Sequence, residues 1–106
     1  MELYIDTTER GRIKLRIFNG GKVRAKSEKS TNKISESLLA EIEKLLKKTK
    51  LEVSDLSRVL VNPGPGGFSS TRTGVATANA LNFVLGVNKF VLPRYDKEPN
   101  ITKSKK

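Results

Sequence analysis

Cysteine and histidine are both absent from this 106-residue sequence. Without cysteine there is no disulfide and no thiol nucleophile. Without histidine as well, Ser-His-Asp catalysis and every His/Cys metal site are excluded. No apolar run is long enough to span a bilayer and no signal-peptide pattern opens the chain, so the expected location is the cytoplasm. What remains for chemistry is carboxylates, hydroxyls, lysines and backbone groups, and no resident metal or cofactor is expected. Acidic residues are also scarce. Eleven Asp+Glu stand against 21 Lys+Arg, a formal charge of +10. Such an excess concerns partners and encounter rates rather than fold. It points to nucleic acid or an acidic protein surface, or to a lysine-rich surface that simply solvates. The length suits one domain, whose core buries only roughly 60–65% of the unfolded surface.

The opening Glu2-Leu3-Tyr4-Ile5-Asp6-Thr7 is short, apolar and followed by a polar turn, which predicts a buried strand. Arg12-Ile13-Lys14-Leu15-Arg16-Ile17-Phe18 alternates charge and hydrocarbon, as does Lys22-Val23-Arg24-Ala25-Lys26 beyond Asn19-Gly20-Gly21. Period-two alternation predicts strands with one buried and one wet face. A two-residue loop would mix the faces, so a three-residue loop is expected, pairing Ile17 with Val23 and Leu15 with Ala25. That register sets Arg16 against Arg24 and Lys14 against Lys26. It gives the hairpin a basic face of Arg12, Lys14, Arg16, Lys22, Arg24 and Lys26, although like charges directly opposite are unfavourable.

A polar link, Ser27 to Thr31, leads to a helix expected over 32–48 with Thr31 or Asn32 as N-cap. Ile34, Leu38, Ile42 and Leu45 recur at helical spacing, with Leu39 and Leu46 widening the stripe. Lys44, Lys47 and Lys48 suit the negative end of the helix dipole. Val59-Leu60-Val61 predicts another short strand, and a second helix is expected from Ser69 or Ser70 to Gly86. Between Arg72 and Lys89 no residue is charged, in a chain that is 30% charged. A helix face with nothing to solvate it suggests a partner. Lys89-Phe90-Val91-Leu92 is read as a last strand, and residues 94–106 as a disordered basic tail after a lobe spanning 1–93. The order β-β-β-α-β-α-β argues for a mixed five-stranded sheet with parallel central strands and helical cover.

Two motifs could carry chemistry. Gly64-Pro65-Gly66-Gly67-Phe68 joins a strand to a helix, where anions bind and where glycine lets backbones approach closely. No Gly-Lys-Ser/Thr follows, so it is not a P-loop; it is equally read as a rigid turn. Asp6-Thr7-Thr8 ends the first strand, where a carboxylate can hold a metal or magnesium-bound phosphate, or simply accept hydrogen bonds from turn amides. A two-metal nuclease would need more acids than Asp6 with Glu36 or Glu41, and Asn62 at the neighbouring strand end is neutral.

Leu3-Tyr4-Ile5-Asp6-Thr7-Thr8 resembles the strand and Asp-Thr-Ser turn that opens actin-like, RNase-H-like ATPase domains. The run from Gly64 to Ala78, with Gly64-Pro65-Gly66, Phe68, Arg72 and Gly74-Val75-Ala76-Thr77-Ala78, is similar to the glycine–arginine signature of the TsaB (YeaZ) proteins. Ser35-Glu36 and Leu38-Leu39 resemble that family's first helix, with Ile34 where its histidine would fall. The resemblance covers residues 2 to about 92 and implies an RNase-H-like/actin-like single lobe of α/β class. It further implies a non-catalytic subunit of the complex that makes threonylcarbamoyladenosine in transfer RNA. Implied partners are a TsaD-like subunit or a second copy, bound through the two helices, and a TsaE-like ATPase in the full assembly. On this resemblance Leu38, Ile42 and Leu45, with Arg72, Val75, Ala76 and Asn79, are the expected interface. Asp6-Thr7-Thr8 would be a vestigial phosphate loop. Ser70, Thr71 and Thr73 depart from the signature towards polarity. Family members usually carry a second domain, and nucleotide in this fold lies between two lobes, so independent ATPase activity is not expected; without His or Cys, and with Asn62 at the strand end, neither is protease or nuclease activity. The alternative reading is a basic module that contacts tRNA through the hairpin.

Overall fold

The structure, a computed structural model, describes residues 1–94. The tail expected from residue 94 lies, apart from Arg94 itself, outside the described residues. Three strands come first: β1 (Glu2–Asp6), β2 (Arg12–Asn19) and β3 (Lys22–Ser30). Helix α1 (Ile34–Lys48), a single 3-10 turn (Val53–Asp55), β4 (Arg58–Val61) and α2 (Phe68–Val84) follow. The sheet order is β3-β2-β1-β4. β1 pairs antiparallel with β2 and parallel with β4, so the sheet is mixed as expected.

Alternation in sequence becomes two faces. Leu3, Ile5, Ile13, Leu15 and Ile17 are buried and join Leu38, Ile42, Leu45, Leu46, Val59 and Ala78 in one core cluster. Both helices therefore cover the same side of the sheet. The α1 stripe was legible in its spacing, except at Leu39. That side chain is 57% exposed, whereas Leu38 beside it is 1% exposed. The helix begins later than expected: Lys33 is its N-cap, without a side-chain cap, and the Thr31 hydroxyl instead accepts the Lys33 N–H at 3.0 Å. α2 begins earlier, at Phe68 with Gly67 as N-cap. It ends at Val84 with Leu85 as C-cap, two residues before the expected Gly86, which follows at φ +80° where Gly86 N–H donates to the Phe83 carbonyl and Val87 N–H to the Asn82 carbonyl. Glycine suits that left-handed position.

The hairpin register differs from the expected one. Asn19 pairs with Lys22 and Phe18 with Val23, then a bulge shifts the ladder so that Ile17 pairs with Ala25 and Leu15 with Ser27. Arg24 is the extra residue. The loop is thus Gly20-Gly21, both at positive φ, and the bulge rather than a longer loop keeps Ile17 on the core face. β3 also runs on through the segment read as a link, because Ser27 to Ser30 pair with Leu15 to Arg12.

The expected fifth strand is not formed: residues 89–92 have no strand conformation. On α2, the buried Asn82 amide donates to the Val59 C=O at 2.8 Å and accepts the Val59 N–H at 2.7 Å. It thereby satisfies the backbone groups that a fifth strand would need at that residue. Three residues earlier on the helix, Asn79 does the same for Val91, at 2.9 and 3.0 Å. Two side-chain amides take the place of a ladder, and a four-stranded sheet results.

The neighbours Leu38 and Leu39 make the core assignment testable by urea denaturation. Leu38→Ala should cost about 2–5 kcal/mol, as for a buried leucine, and Leu39→Ala should stay within about 0.5 kcal/mol.

Candidate functional site

The two motifs singled out in sequence meet in space. The end of β1 and the start of α2 touch through Thr7, whose hydroxyl donates to the Ser70 carbonyl at 2.6 Å. Gly67 N–H donates to the Thr8 carbonyl at 3.0 Å. The glycines permit this closeness. A Cβ on Gly66 would lie 2.5 Å from the Thr8 Cβ and 2.6 Å from its carbonyl oxygen, and one on Gly74 would overlap the Thr7 hydroxyl. Gly64, at φ +109°, has no room for a Cβ beside the Arg94 carbonyl.

Asp6 is held inside this turn. Its carboxylate accepts the Thr8 N–H at 2.9 Å, the Thr8 hydroxyl at 2.7 Å and the Asn62 amide at 3.3 Å. Asn62 in turn accepts the Gly64 N–H at 3.1 Å. Burial pushes the Asp6 carboxyl up, but those hydrogen bonds and the nearby Lys14 outweigh it and hold it below the ordinary carboxylate value. Asp6 is therefore ionised and serves as a hydrogen-bond acceptor that ties β1 to β4 and the glycine loop. Of the two acids considered as its companion, Glu36 is exposed in the first turn of α1, and Glu41 pairs instead with Lys29 at 3.6 Å and Lys44 at 3.8 Å. Among the described residues no three His, Cys, Asp or Glu side chains gather as metal ligands.

A cavity of about 470 Å³ opens on the other side of the glycine loop. Arg10, Lys33, Ser35, Gly67, Ser69 and Ser70 are among the residues that line it, and Asp6, Thr7 and Thr8 are not. The loop thus separates the Asp6 turn from the space between the two helix starts, rather than joining them into one pocket.

The helix residues taken as an interface divide. Leu38, Ile42, Leu45 and Val75 are buried against this chain's own core. Arg72 and Ala76 are exposed, Arg72 lying over the Phe68 ring at 6.0 Å, and Asn79 is half-buried and holds Val91. Exposed apolar side chains include Ala80, Phe83 (83% exposed) and Val84 (73%) on α2, Leu39 on α1, and Phe90 and Leu92, which border a depression with Arg72, Ala76 and Asn79. Spacing could not find the α2 face, because a helix of small uncharged residues shows no contrast between its sides.

The basic hairpin face also divides. Arg12 pairs with Glu28 at 3.1 Å, and Lys14 with Glu9 at 3.2 Å and Glu28 at 4.0 Å. Arg16 stands opposite Lys26 rather than Arg24, while Lys14 stands opposite Glu28 rather than Lys26. Lys22 pairs with Asn19, on the register of the other face, and the Arg24 guanidinium lies 3.7 Å from the Met1 sulfur. The basic-face residues taken from the hairpin sequence did not include Tyr4, which lies outside it on β1. β1 brings Tyr4 opposite Arg16, and its ring meets Phe18 edge-on with centroids 6.4 Å apart. Burial and the Asp6 carboxylate push the Tyr4 phenol above its ordinary value, so the ring is neutral.

The close approach of α2 to β1 yields a test. Replacing a helix-interior glycine by alanine normally stabilises by about 1 kcal/mol. Gly74→Ala should instead destabilise by about 1–3 kcal/mol through overpacking against Thr7, read by chemical denaturation.

Comparison with known proteins places this geometry. A model of the family described as TsaD: tRNA N6-adenosine threonylcarbamoyltransferase matches residues 26–92, more than half of the chain. No curated protein sequence matches. Among solved structures, YeaZ from Pseudomonas aeruginosa superposes with a TM-score of 0.72 at 20% identity, over 80% of this chain and 39% of that one. A protein described as similar to peptidase YeaZ from Pseudomonas aeruginosa gives 0.74 at 18% identity, over 87% and 42%. The chain thus spans about two fifths of the length of these structures. The chain belongs to the family described as TsaD: tRNA N6-adenosine threonylcarbamoyltransferase, and it shares its fold with part of YeaZ.

Proposed function

We propose that this lobe, residues 1–93, is a TsaB-like scaffold that takes part in threonylcarbamoyladenosine modification of tRNA without doing the chemistry itself. The observation that carries the reading is the uncharged outer face of α2. Ala76, Ala80, Phe83 and Val84 are exposed on a helix that carries no charge after Arg72. An apolar helix face of this kind, on a chain with a net charge of +10, is better explained by a covering partner than by solvent. The partner is a TsaD-like subunit, or a second copy of the chain in its absence, and a TsaE-like ATPase joins the full assembly. Leu39 of α1 and the Arg72 guanidinium extend the contact on either side. The buried residues Leu38, Ile42, Leu45 and Val75 act indirectly, by fixing how the two helices lie on the sheet.

Asp6-Thr7-Thr8 supports the same reading. Its carboxylate is occupied by Thr8 and Asn62, and its threonines hold the glycine loop and the start of α2. The turn works as a clasp that presents α2. No helix among the described residues is long and apolar enough to cross a membrane, and the cytoplasm, where tRNA is modified, is the proposed location.

A second reading, contact with RNA through the sheet, is favoured by the Arg16–Lys26 pair and is developed below. The scaffold reading is tested by co-purifying the chain with a TsaD-like subunit. Association with a dissociation constant of about 1 μM or tighter is expected, together with a rise in the subunit's modifying activity. Phe83→Asp should weaken binding by roughly tenfold or more, since it buries a charge in the contact, while leaving the chain's melting temperature unchanged. Absence of association at micromolar concentration, with TsaD activity indifferent to the chain, would sink the reading.

A further inference from the structure

Both helices cover one side of the sheet, and the other side is free of helical cover among the described residues. Its side chains form rows across the strands, because directly paired residues share a face. One row is Asp6, Lys14 and Glu28, alternating in charge. Another is Arg58, Glu2, Phe18 and Val23, in which Arg58 and Glu2 form an ion pair at 2.6 Å. The row between them is Leu60, Tyr4, Arg16 and Lys26. Its two cations stand directly opposite each other, both exposed, and neither has an acid within ion-pairing distance among the described residues.

Like charges in that position cost stability. Arg12 and Lys14, on the same strand, are compensated by Glu28 and Glu9, so the missing partner at Arg16 and Lys26 is local. A depression of about 270 Å³ lies at this point, bordered by Lys14, Leu15, Arg16, Lys26, Ser27 and Glu28. Beside it stand the half-buried rings of Tyr4 and Phe18, with the exposed Val23 next to Phe18. An uncompensated pair of cations next to neutral aromatic rings matches a polyanion that also carries flat apolar groups. Unpaired nucleic acid is such a ligand: its phosphates answer the cations and its bases stack on the rings. A duplex hides its bases and offers the rings nothing.

We infer that the open face of the sheet binds a single-stranded RNA segment, with Arg16 and Lys26 on a phosphate and Tyr4 and Phe18 supporting a base. This deepens the second reading above and is independent of association through α2. The two sites lie on opposite sides of the sheet, so either can fail alone.

The test is fluorescence anisotropy of the full chain, without a partner subunit, against a short labelled oligouridylate and against an RNA duplex of equal length. The single strand should bind more tightly than the duplex. Phe18→Leu, which keeps an apolar side chain, should weaken single-strand binding about fivefold or more and leave duplex binding unchanged. Lys26→Glu should give the telling combination. Its melting temperature at low salt should rise, because it pairs with Arg16, while RNA affinity falls and the salt dependence loses about one phosphate contact. Equal affinity for strand and duplex, or single-strand affinity unchanged in both variants, would overturn the inference. A folding defect cannot mimic the expected result, since Lys26→Glu is predicted to be the more stable protein.

Discussion

Thr7 and Gly74 set the distance between β1 and α2. The Thr7 side chain is buried, its hydroxyl donates to the Ser70 carbonyl, and it fills the space that a Cβ on Gly74 would need. One such hydrogen bond is worth only about 1 kcal/mol net. Its importance is geometric. With α2 brought down onto β1 at this point, Asn82 reaches the edge of β4, Ala78 enters the core, and the helix turns Ala76, Ala80, Phe83 and Val84 outward. Gly66 and Gly67 do the same for the loop, which crosses Thr8 at backbone contact. The glycine-rich segment is thus a packing device first, whatever else it contacts.

Much of this fold was legible in the sequence, because period-two and helical patterns report directly which side of an element is buried. Ile13, Leu15 and Ile17 marked β2, and Ile34, Leu38, Ile42 and Leu45 marked α1, where the structure places them. The failures have physical causes. A bulge at Arg24 shifts the hairpin register without changing the alternation of β2, so the sequence of either strand alone is silent about it. Lys89-Phe90-Val91-Leu92 has the composition of a strand, but Asn82 and Asn79 engage the backbone groups a ladder would use. Asparagine in a helix gives no local sign that its amide completes a sheet edge. Tyr4 was overlooked because its neighbour on the face, Phe18, is distant in sequence and adjacent only through pairing.

The same division of faces organises the functional reading. On the helical side the outer face of α2 beyond Arg72 is apolar and uncharged, as a protein partner requires, while α1 exposes charged residues such as Glu43, Lys44 and Lys47. On the open side of the sheet, two rows set acids beside their cations, and the row between them carries cations alone. The net charge of +10 therefore understates the separation, since several cations are neutralised by local acids and α2 contributes none beyond Arg72. A lobe with an apolar face on one side and a cationic, aromatic face on the other is suited to sit between an enzyme and an RNA.

The central claim is that the outer face of α2 meets a partner. Hydrogen–deuterium exchange of the chain, alone and with a TsaD-like subunit, tests it most directly. The account predicts that added protection falls on Phe68–Val84 and the adjoining part of α1, with β2 and β3 unchanged. Protection confined to the β2–β3 hairpin, or no change along α2 at concentrations where the complex forms, would contradict it.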